Sequence, residues 1–407
     1  MRILHTSDWH LGKNLEGYSR MDEQEAFLND FVVMVKEKEV DLVIIAGDIY
    51  DSPNPPARAE KMFYDTLKKL SSNGERITLV IAGNHDSPER LIAAGPLARE
   101  HGIIMVGTPK TIVDIGEYGR HKVIAAGEGY VEIEMNGEKA VILTVPYPSE
   151  KRLNEVLYGA MDSEQERVDS YGERIRALFS RLSEQFRENT INIVVSHLFA
   201  MGSEESGSER NISLGGSFIV DGSCFPEKAQ YVALGHIHKP QIVPGTHAKA
   251  RYAGSPLHYN KKEINFQKKC YIVDVVAGEE CSISEVAFQV YKPIEIWKCK
   301  GIKKTIEQCI TNGDKECWVY LEIETDRYIR EDEIKQMKSA KKDILEIMPK
   351  MIGENNEELD INSFFEKSIE EIFRDFYLKE RKVEVQQEVV DLLLSIINEE
   401  DDNIETN

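Results

Sequence analysis

Short apolar runs rich in β-branched residues recur along the chain, each closed by glycine or polar residues: Arg2–Ser7, Leu42–Ala46, Ile77–Ala82, Ile193–Val195 and Tyr231–Leu234. Runs of that length with such boundaries predict buried strands. Between them Glu23–Glu37, Ala57–Leu70 and Pro88–Arg99 carry apolar residues at helical spacing, so strands alternate with helices to about Pro148. The charged segment Glu150–Glu188 reads as helical, and residues 241–290 read as hairpins and strands. Beyond Tyr291-Lys292-Pro293 the pattern changes. Strand-like Pro293–Lys298 and Trp318–Glu324 flank a helical Lys303–Thr311, and Arg330–Met348 predicts a helix with Lys335, Lys338, Lys341 and Lys342 on one side. The acidic stretch Gly353–Glu358 reads as a linker. After it come two helical stripes, Ile361, Phe364, Phe365, Ile369, Ile372, Phe373, Phe376 and then Val389, Leu392, Leu393, Ile396, Ile397. Three segments follow from this: 1–290, 291–352 and 353–407.

Chemistry stands at the strand ends. Asp8-Trp9-His10, Gly47-Asp48, Gly83-Asn84-His85-Asp86, Ser196-His197 and Gly235-His236-Ile237-His238 each follow an apolar run, on the rim where α/β sheets place their ligands. Residues two apart at a strand end point the same way, so Asp8 with His10, and His236 with His238, can converge. The carboxylate of Asp48, after a glycine turn, can bridge two cations. Asn84 offers a neutral oxygen and the imidazoles offer nitrogen. This thiolate-free mixture suits Mn²⁺ or Fe²⁺ better than a structural zinc site. Two such ions roughly 3.5–4 Å apart can hold both oxygens of an in-line displacement at a phosphate ester. Any one segment alone is an ordinary turn or a core histidine. Five in order hold five of the ten histidines and point to a dinuclear hydrolase. His5, His101, His121, His247 and His258 lack such a setting and read as structural or surface residues.

In this order the segments resemble the calcineurin-like metallophosphoesterase superfamily, whose pattern is Asp-x-His, Gly-Asp, Gly-Asn-His-Asp/Glu, a single His and Gly-His-x-His. The resemblance implies an α/β (α+β) fold, a two-sheet sandwich flanked by helices, with a small α/β cap domain and a C-terminal helical element. It implies one ion on Asp8, His10, Asp48 and His238, and a second on Asp48, Asn84, His197 and His236. These would be two Mn²⁺, with Fe²⁺ or Zn²⁺ also accepted. His85 would face the phosphate and assist the leaving oxygen, and Asp86 would hold its ring. Thr6–Lys13, Gly47–Asp51, Gly83–Leu91 and Ala253–Leu257 narrow the resemblance to a branch of bacterial nuclease subunits that work with an SMC-like ATPase. Ser52-Pro53 after Asp51 departs from the Asp-Arg-Gly of the protein serine/threonine phosphatases.

That branch implies a 3′-to-5′ exonuclease on duplex DNA ends and an endonuclease on single strands and hairpins, in DNA repair and recombination. Segment 1–290 would carry the catalysis and 291–352 would cap it and bind DNA. The helices of 353–407 would bind the ATPase, and the helices near Ala57–Leu70 and Pro88–Arg99 would pair two copies within a heterotetramer. Lys13, Lys335, Lys338 and Lys342 are candidate DNA contacts, although a solvated charge face is the commoner meaning of each lysine. The alternatives are a stand-alone phosphomonoesterase or nucleotide phosphatase on the same scaffold, and a structural subunit with a degenerate site. The complete ligand set argues against the structural subunit.

Charge bears on the nuclease reading, because phosphate contacts need local Lys and Arg. The net charge of −21 is unevenly placed. Residues 354–407 hold 17 acidic against 5 basic residues, a net of −12, whereas residues 285–350 are neutral with 13 of each. Most of the negative excess therefore sits in a tail that need not approach DNA. No apolar run approaches a membrane span, and Asp8 interrupts the N-terminus too early for a signal peptide. Six cysteines without CxxC spacing read as reduced packing residues. A cytoplasmic protein is expected.

Overall fold

A computed structural model of the chain describes residues 1–153, 164–209 and 219–352, with isolated positions 373, 374, 387 and 390 beyond. Met1–Ile323 with Ile329–Met348 form one compact unit, and the described residues of Glu324–Tyr328 and from Pro349 onward group apart from it. The acidic linker and both C-terminal stripes lie almost wholly outside the described residues.

Two sheets face each other in the first unit. One runs Ser282–Ala287, Lys269–Asp274, Arg2–Thr6, Leu42–Ala46, Ile77–Ile81, Ile103–Val106. Its last four strands are mutually parallel. The other runs Gln241–Ile242, Ala250–Tyr252, Tyr231–Gly235, Ile191–His197, Glu138–Val145, Tyr130–Met135, His121–Gly127, Gly116–Tyr118, with a parallel centre. Side-chain alternation assigns each strand's residues to two layers. Ile3, Ile44, Leu79, Ile142, Ile193 and Ala233 meet between the sheets. Val43, Ile45 and Val80 face outward onto Phe27, Phe31 and Phe63 of the helices Met21–Glu37 and Ala57–Ser71. On the far side Leu143, Val194 and Val232 receive Tyr171, Ile175 and Phe179 of the helix Glu164–Leu182. The central strands of both sheets are therefore buried on both faces, which explains why they read as continuous apolar runs.

Two helical expectations need correction. Pro88–Arg99 is not one helix but two, Pro88–Ile92 and Gly95–Glu100, because Pro96 lacks an N–H and fits only a first turn. Arg330–Met348 is a helix only over Glu331–Ala340, followed by the strand Ile344–Met351. Ile344 and Leu345 are both buried and that strand joins a three-stranded sheet, so tertiary pairing overrides helical propensity. Lys341 consequently leaves the basic face. Its ammonium is buried on the Lys315 carbonyl, at 2.6 Å, and on Asp343, at 3.0 Å.

The three-stranded sheet (Ile294–Lys300, Trp318–Thr325, Ile344–Met351) and the helices Ile302–Thr311 and Glu331–Ala340 build a small α/β layer. Its own core contains Cys309, Cys317, Val319, Leu321 and Met337. It docks on the hairpin of Asn14–Leu15 and Tyr18–Ser19, immediately after Lys13. There Trp318 Nε1 donates to Glu23 (2.9 Å), Tyr320 Oη to Glu16 (3.0 Å) and Tyr18 Oη to the Ile344 carbonyl (3.0 Å). All six cysteines are free, and among the described residues no helix is long and apolar enough to cross a membrane.

His5 lies fully buried between the sheets, bonded to Tyr231 Oη at 2.8 Å and the Leu234 carbonyl at 3.2 Å. Burial lowers its pKa from 6.5 to about 3. An unfolded imidazole takes its proton near pH 6.5 and the folded one does not, so this site's stabilisation is complete above that pH and is lost on acidification. The loss runs at about 1.4 kcal/mol per pH unit. His5→Gln should remove one proton from the acid limb of stability, measured as a shallower fall in urea midpoint between neutral and mildly acidic buffer.

Candidate metal centre

The parallel strands of both sheets end on the same side, and their backbones nearly touch there. His236 N–H donates to Asp8 Oδ1 at 3.0 Å, and His197 Nδ1 bonds the Ala46 carbonyl at 2.9 Å. Glycine permits this approach. A Cβ on Gly235 would stand 1.9 Å from the Ala46 carbonyl oxygen, and one on Gly83 would stand 2.1 Å from Asp48 Oδ1. Asp8, His10, Asp48 and His236 all adopt positive φ (54°, 46°, 49° and 106°). Side-chain-bearing residues rarely sit there. The strain is held by Asp8 N–H on the Gly47 carbonyl and His10 N–H on the Asp48 carbonyl, both at 3.0 Å.

The side chains so aimed form two adjoining clusters, Asp8 with His10 and His238, and Asp48 with His197 and His236. His10 Nε2 lies 2.9 Å from His238 Nε2. Asn84 Oδ1 lies 2.9 Å from His197 Nε2 and 3.2 Å from His236 Nδ1. Asp48 Oδ2 sits between the clusters, 3.7 Å from His10 and 3.4 Å from His197. The donor set is two carboxylates, one amide oxygen and four imidazoles. His10 Nδ1 has only Asp51 Oδ1 nearby, at 3.5 Å, and its Nε2 meets another ring nitrogen rather than an acid or a carbonyl. Buried polar groups normally find partners, so these residues fit a pair of divalent ions. A third cluster joins His10 and His85 to Asp51, which was not among the expected ligands.

Electrostatics separate the two carboxylates. Burial pushes Asp8 up to about 6, partly offset by His197 and His238. Burial also opposes the charge on Asp48, but His197, His10 and His85 hold its carboxyl well below the usual carboxylate range. The same pair raises His197 to about 9 against its burial. His10 and His236 are lowered to about 3, chiefly by burial.

His85 stands at the edge of the clusters, its ring edge-on to His10 with centroids 4.8 Å apart. The expectation that Asp86 holds this ring is corrected. Asp86 instead accepts the backbone N–H groups of Gly83 (2.8 Å), Tyr50 (3.0 Å) and Ile49 (3.2 Å), knitting two ligand loops together. His85 Nδ1 is held by the Asp51 carbonyl at 2.7 Å. Lys13 lies beside the site, paired with Asp51 at 2.8 Å. Lys335, Lys338 and Lys342 are exposed on the small α/β layer, Lys335 paired with Glu331.

Further residues at the site are not marked by any motif in the sequence. Glu209 accepts the His238 N–H at 2.9 Å, and Arg152 donates to the Gly83 and Asp86 carbonyls at 2.7 and 2.8 Å. Glu263 and Lys268 form a buried ion pair at 2.5 Å beneath His238. For this pair the one signal is its position just after Gly254-Ser255-Pro256-Leu257.

The calcineurin-like phosphoesterase family matches residues 1–240, and a domain described as the type 5 capsule protein repressor C-terminal domain matches residues 290–381. The chain belongs to the calcineurin-like phosphoesterases. Within them it belongs to the SbcD family. The SbcD subunit of the SbcCD nuclease of Bacillus subtilis (strain 168) is 38% identical over 406 residues, 98% of this chain and 100% of that protein. The corresponding subunit from Rhodobacter capsulatus is 31% identical over 284 residues, 68% of this chain and 67% of that protein. A crystal structure of a dimetal phosphatase from Danio rerio aligns with 70% of this chain and 98% of that one, at 13% identity and a TM-score of 0.35.

Because Gly83 leaves no room for a side chain against Asp48, Gly83→Ala should displace that carboxylate. Metal analysis of the purified variant is expected to find fewer than two ions per chain, while circular dichroism finds the fold retained.

Proposed function

We propose that this chain is the nuclease subunit of an SbcCD-type complex, a metal-dependent phosphodiester hydrolase acting on DNA. The observation that carries this reading is the convergence of Asp8, His10, Asp48, Asn84, His197, His236 and His238 at one shared sheet rim. A stand-alone phosphatase on the same scaffold is not favoured, since the chain is collinear with a nuclease subunit over 98% of its length. In this reading Asp8, His10, Asp48 and His238 hold one ion, and Asp48, Asn84, His197 and His236 hold the other. Mn²⁺ is the proposed occupant, with Fe²⁺ and Zn²⁺ as the alternatives to test.

Bound divalent ions supply Lewis-acid stabilisation of charge on a phosphodiester. The rest falls to the chain's residues. Asp48 stays ionised at neutral pH and faces both clusters. His85 spends its Nδ1 proton on the Asp51 carbonyl, which leaves Nε2 to hold or deliver a proton at the departing oxygen. Asp86 keeps the His85 loop in register with Asp48 through the two bonds it accepts from the Ile49 and Tyr50 N–H groups. We assign residues 1–290 to catalysis, 291–352 to a DNA-binding cap reached by Lys335, Lys338 and Lys342, and 353–407 to binding an SbcC-type ATPase within a heterotetramer. Free cysteines and the lack of a spanning helix among the described residues support a cytoplasmic setting. The direct test is Mn²⁺-dependent release of nucleotides from an oligonucleotide, compared with hydrolysis of p-nitrophenyl phosphate and bis-p-nitrophenyl phosphate. Faster monoester hydrolysis would favour the phosphatase.

Asp48→Ala should abolish uptake of both ions and all cleavage, since its Oδ2 stands between the clusters, 3.7 Å from His10 and 3.4 Å from His197; two ions retained on metal analysis would contradict the assignment. His85→Gln should keep both ions yet lose about 10²–10⁴-fold in turnover, measured on a short single-stranded substrate. Truncation after Gly353 should leave single-strand cleavage intact and abolish co-elution with the ATPase on size exclusion. A complex that survives would move the docking surface elsewhere.

A further inference from the structure

His238 is held from three sides by residues that come from other parts of the chain. Its N–H donates to Glu209 Oε1 at 2.9 Å, and its carbonyl accepts from Lys268 Nζ at 3.0 Å. Its ring Nδ1 is in hydrogen-bond contact with Ser208 Oγ, which in turn contacts Glu263 Oε1. Glu263 and Lys268 are 0% and 2% exposed. Their charges are matched at 2.5 Å. Lys268 completes its three donor bonds with Ser255 Oγ at 2.7 Å, and Glu263 accepts further from the Tyr259 N–H and Ser206 Oγ, both at 3.2 Å. A saturated buried ion pair of this kind is a poor source of stability compared with apolar packing. Its connection to His238 therefore calls for another explanation.

Proton counting supplies one. A carboxylate is an acceptor only, and a serine hydroxyl carries one proton. Ser208 must give that proton to Glu263, so its oxygen must receive a hydrogen from His238 Nδ1. In the neutral imidazole, the form that ligates a metal, the ring then has no proton left for Nε2, the nitrogen that faces His10 at 2.9 Å. We infer that Glu263, acting through Ser208, is a positioning residue that fixes His238 as the Nδ1–H tautomer and turns its Nε2 lone pair into the metal centre, with Lys268 pinning the carboxylate. This deepens, and rests on, the metal-centre reading above.

Removing Glu263 or Lys268 alone would strand a buried charge, so the clean substitution is Ser208→Ala, which leaves the ion pair whole. The full chain, labelled with ¹⁵N-histidine and freed of metal, is measured by long-range ¹H–¹⁵N correlation of the rings, with His238→Gln identifying the signal. Wild-type His238 is expected as the Nδ1–H form, Ser208→Ala as a mixture of tautomers, and Ser208→Thr as the wild-type form again. Mn²⁺ titration followed by electron paramagnetic resonance is expected to show affinity about 10–100-fold weaker in Ser208→Ala, largely recovered in Ser208→Thr. An Nε2–H tautomer in the wild-type protein would overturn the proposal without any variant. So would a Ser208→Ala protein with unchanged tautomer, or with unchanged Mn²⁺ affinity. A wild-type chain that takes up no divalent ion would instead defeat the metal-centre reading, while the wild-type ring tautomer would still decide the role of Ser208.

Discussion

Two sheets can share one set of ligands only where their backbones come almost into contact, and the rest of the site depends on that approach. The Gly235 position against the Ala46 carbonyl leaves no space for a methyl group. The bonds from His236 N–H to Asp8 and from His197 to Ala46 lie across the same seam. Helices pack on both outer faces, so the ligand-bearing turns are mounted on a doubly covered framework. Loops placed on such a frame can sustain backbone conformations that an isolated turn would abandon.

Much of this is legible in the sequence. The β-branched runs mark the central strands because both faces are buried, and the glycines before Asp48, Asn84 and His236 mark where the chain has to turn. What is not legible lies in relations between distant residues. The departure of Asp86 from His85 toward three backbone N–H groups depends on how two loops meet. The Glu263–Lys268 pair sits in a segment without periodicity, and its partners Ser208 and His238 are far away in sequence. Pro96 is visible, and its incompatibility with a continuous helix is the feature that divides Pro88–Arg99. The end of the helix at Ala340 is hidden, because Ile344–Met351 becomes a strand only through its neighbour in the sheet.

Charge is distributed with the same division between local and global. The small α/β layer carries balanced charge and docks through aromatic side chains that bring polar tips, with Lys292 Nζ 3.7 Å from the Trp318 ring centroid. Lys341, counted among a basic face from spacing alone, instead satisfies buried acceptors. A row of lysines therefore has to be read through its partners before it is read as a nucleic-acid surface.

The positive-φ ligands have a consequence for how the molecule matures. Asp8 and His236 are 228 residues apart in the chain, so the first ligand to be synthesised must wait for one of the last. Contacts of such separation form late, since loop closure must precede their reward. An ion that recognises only the assembled rim stabilises the finished fold by mass action and offers nothing to a partly made chain. The cleaving centre therefore exists only where both sheets are closed, because its ligands come from turns on each of them.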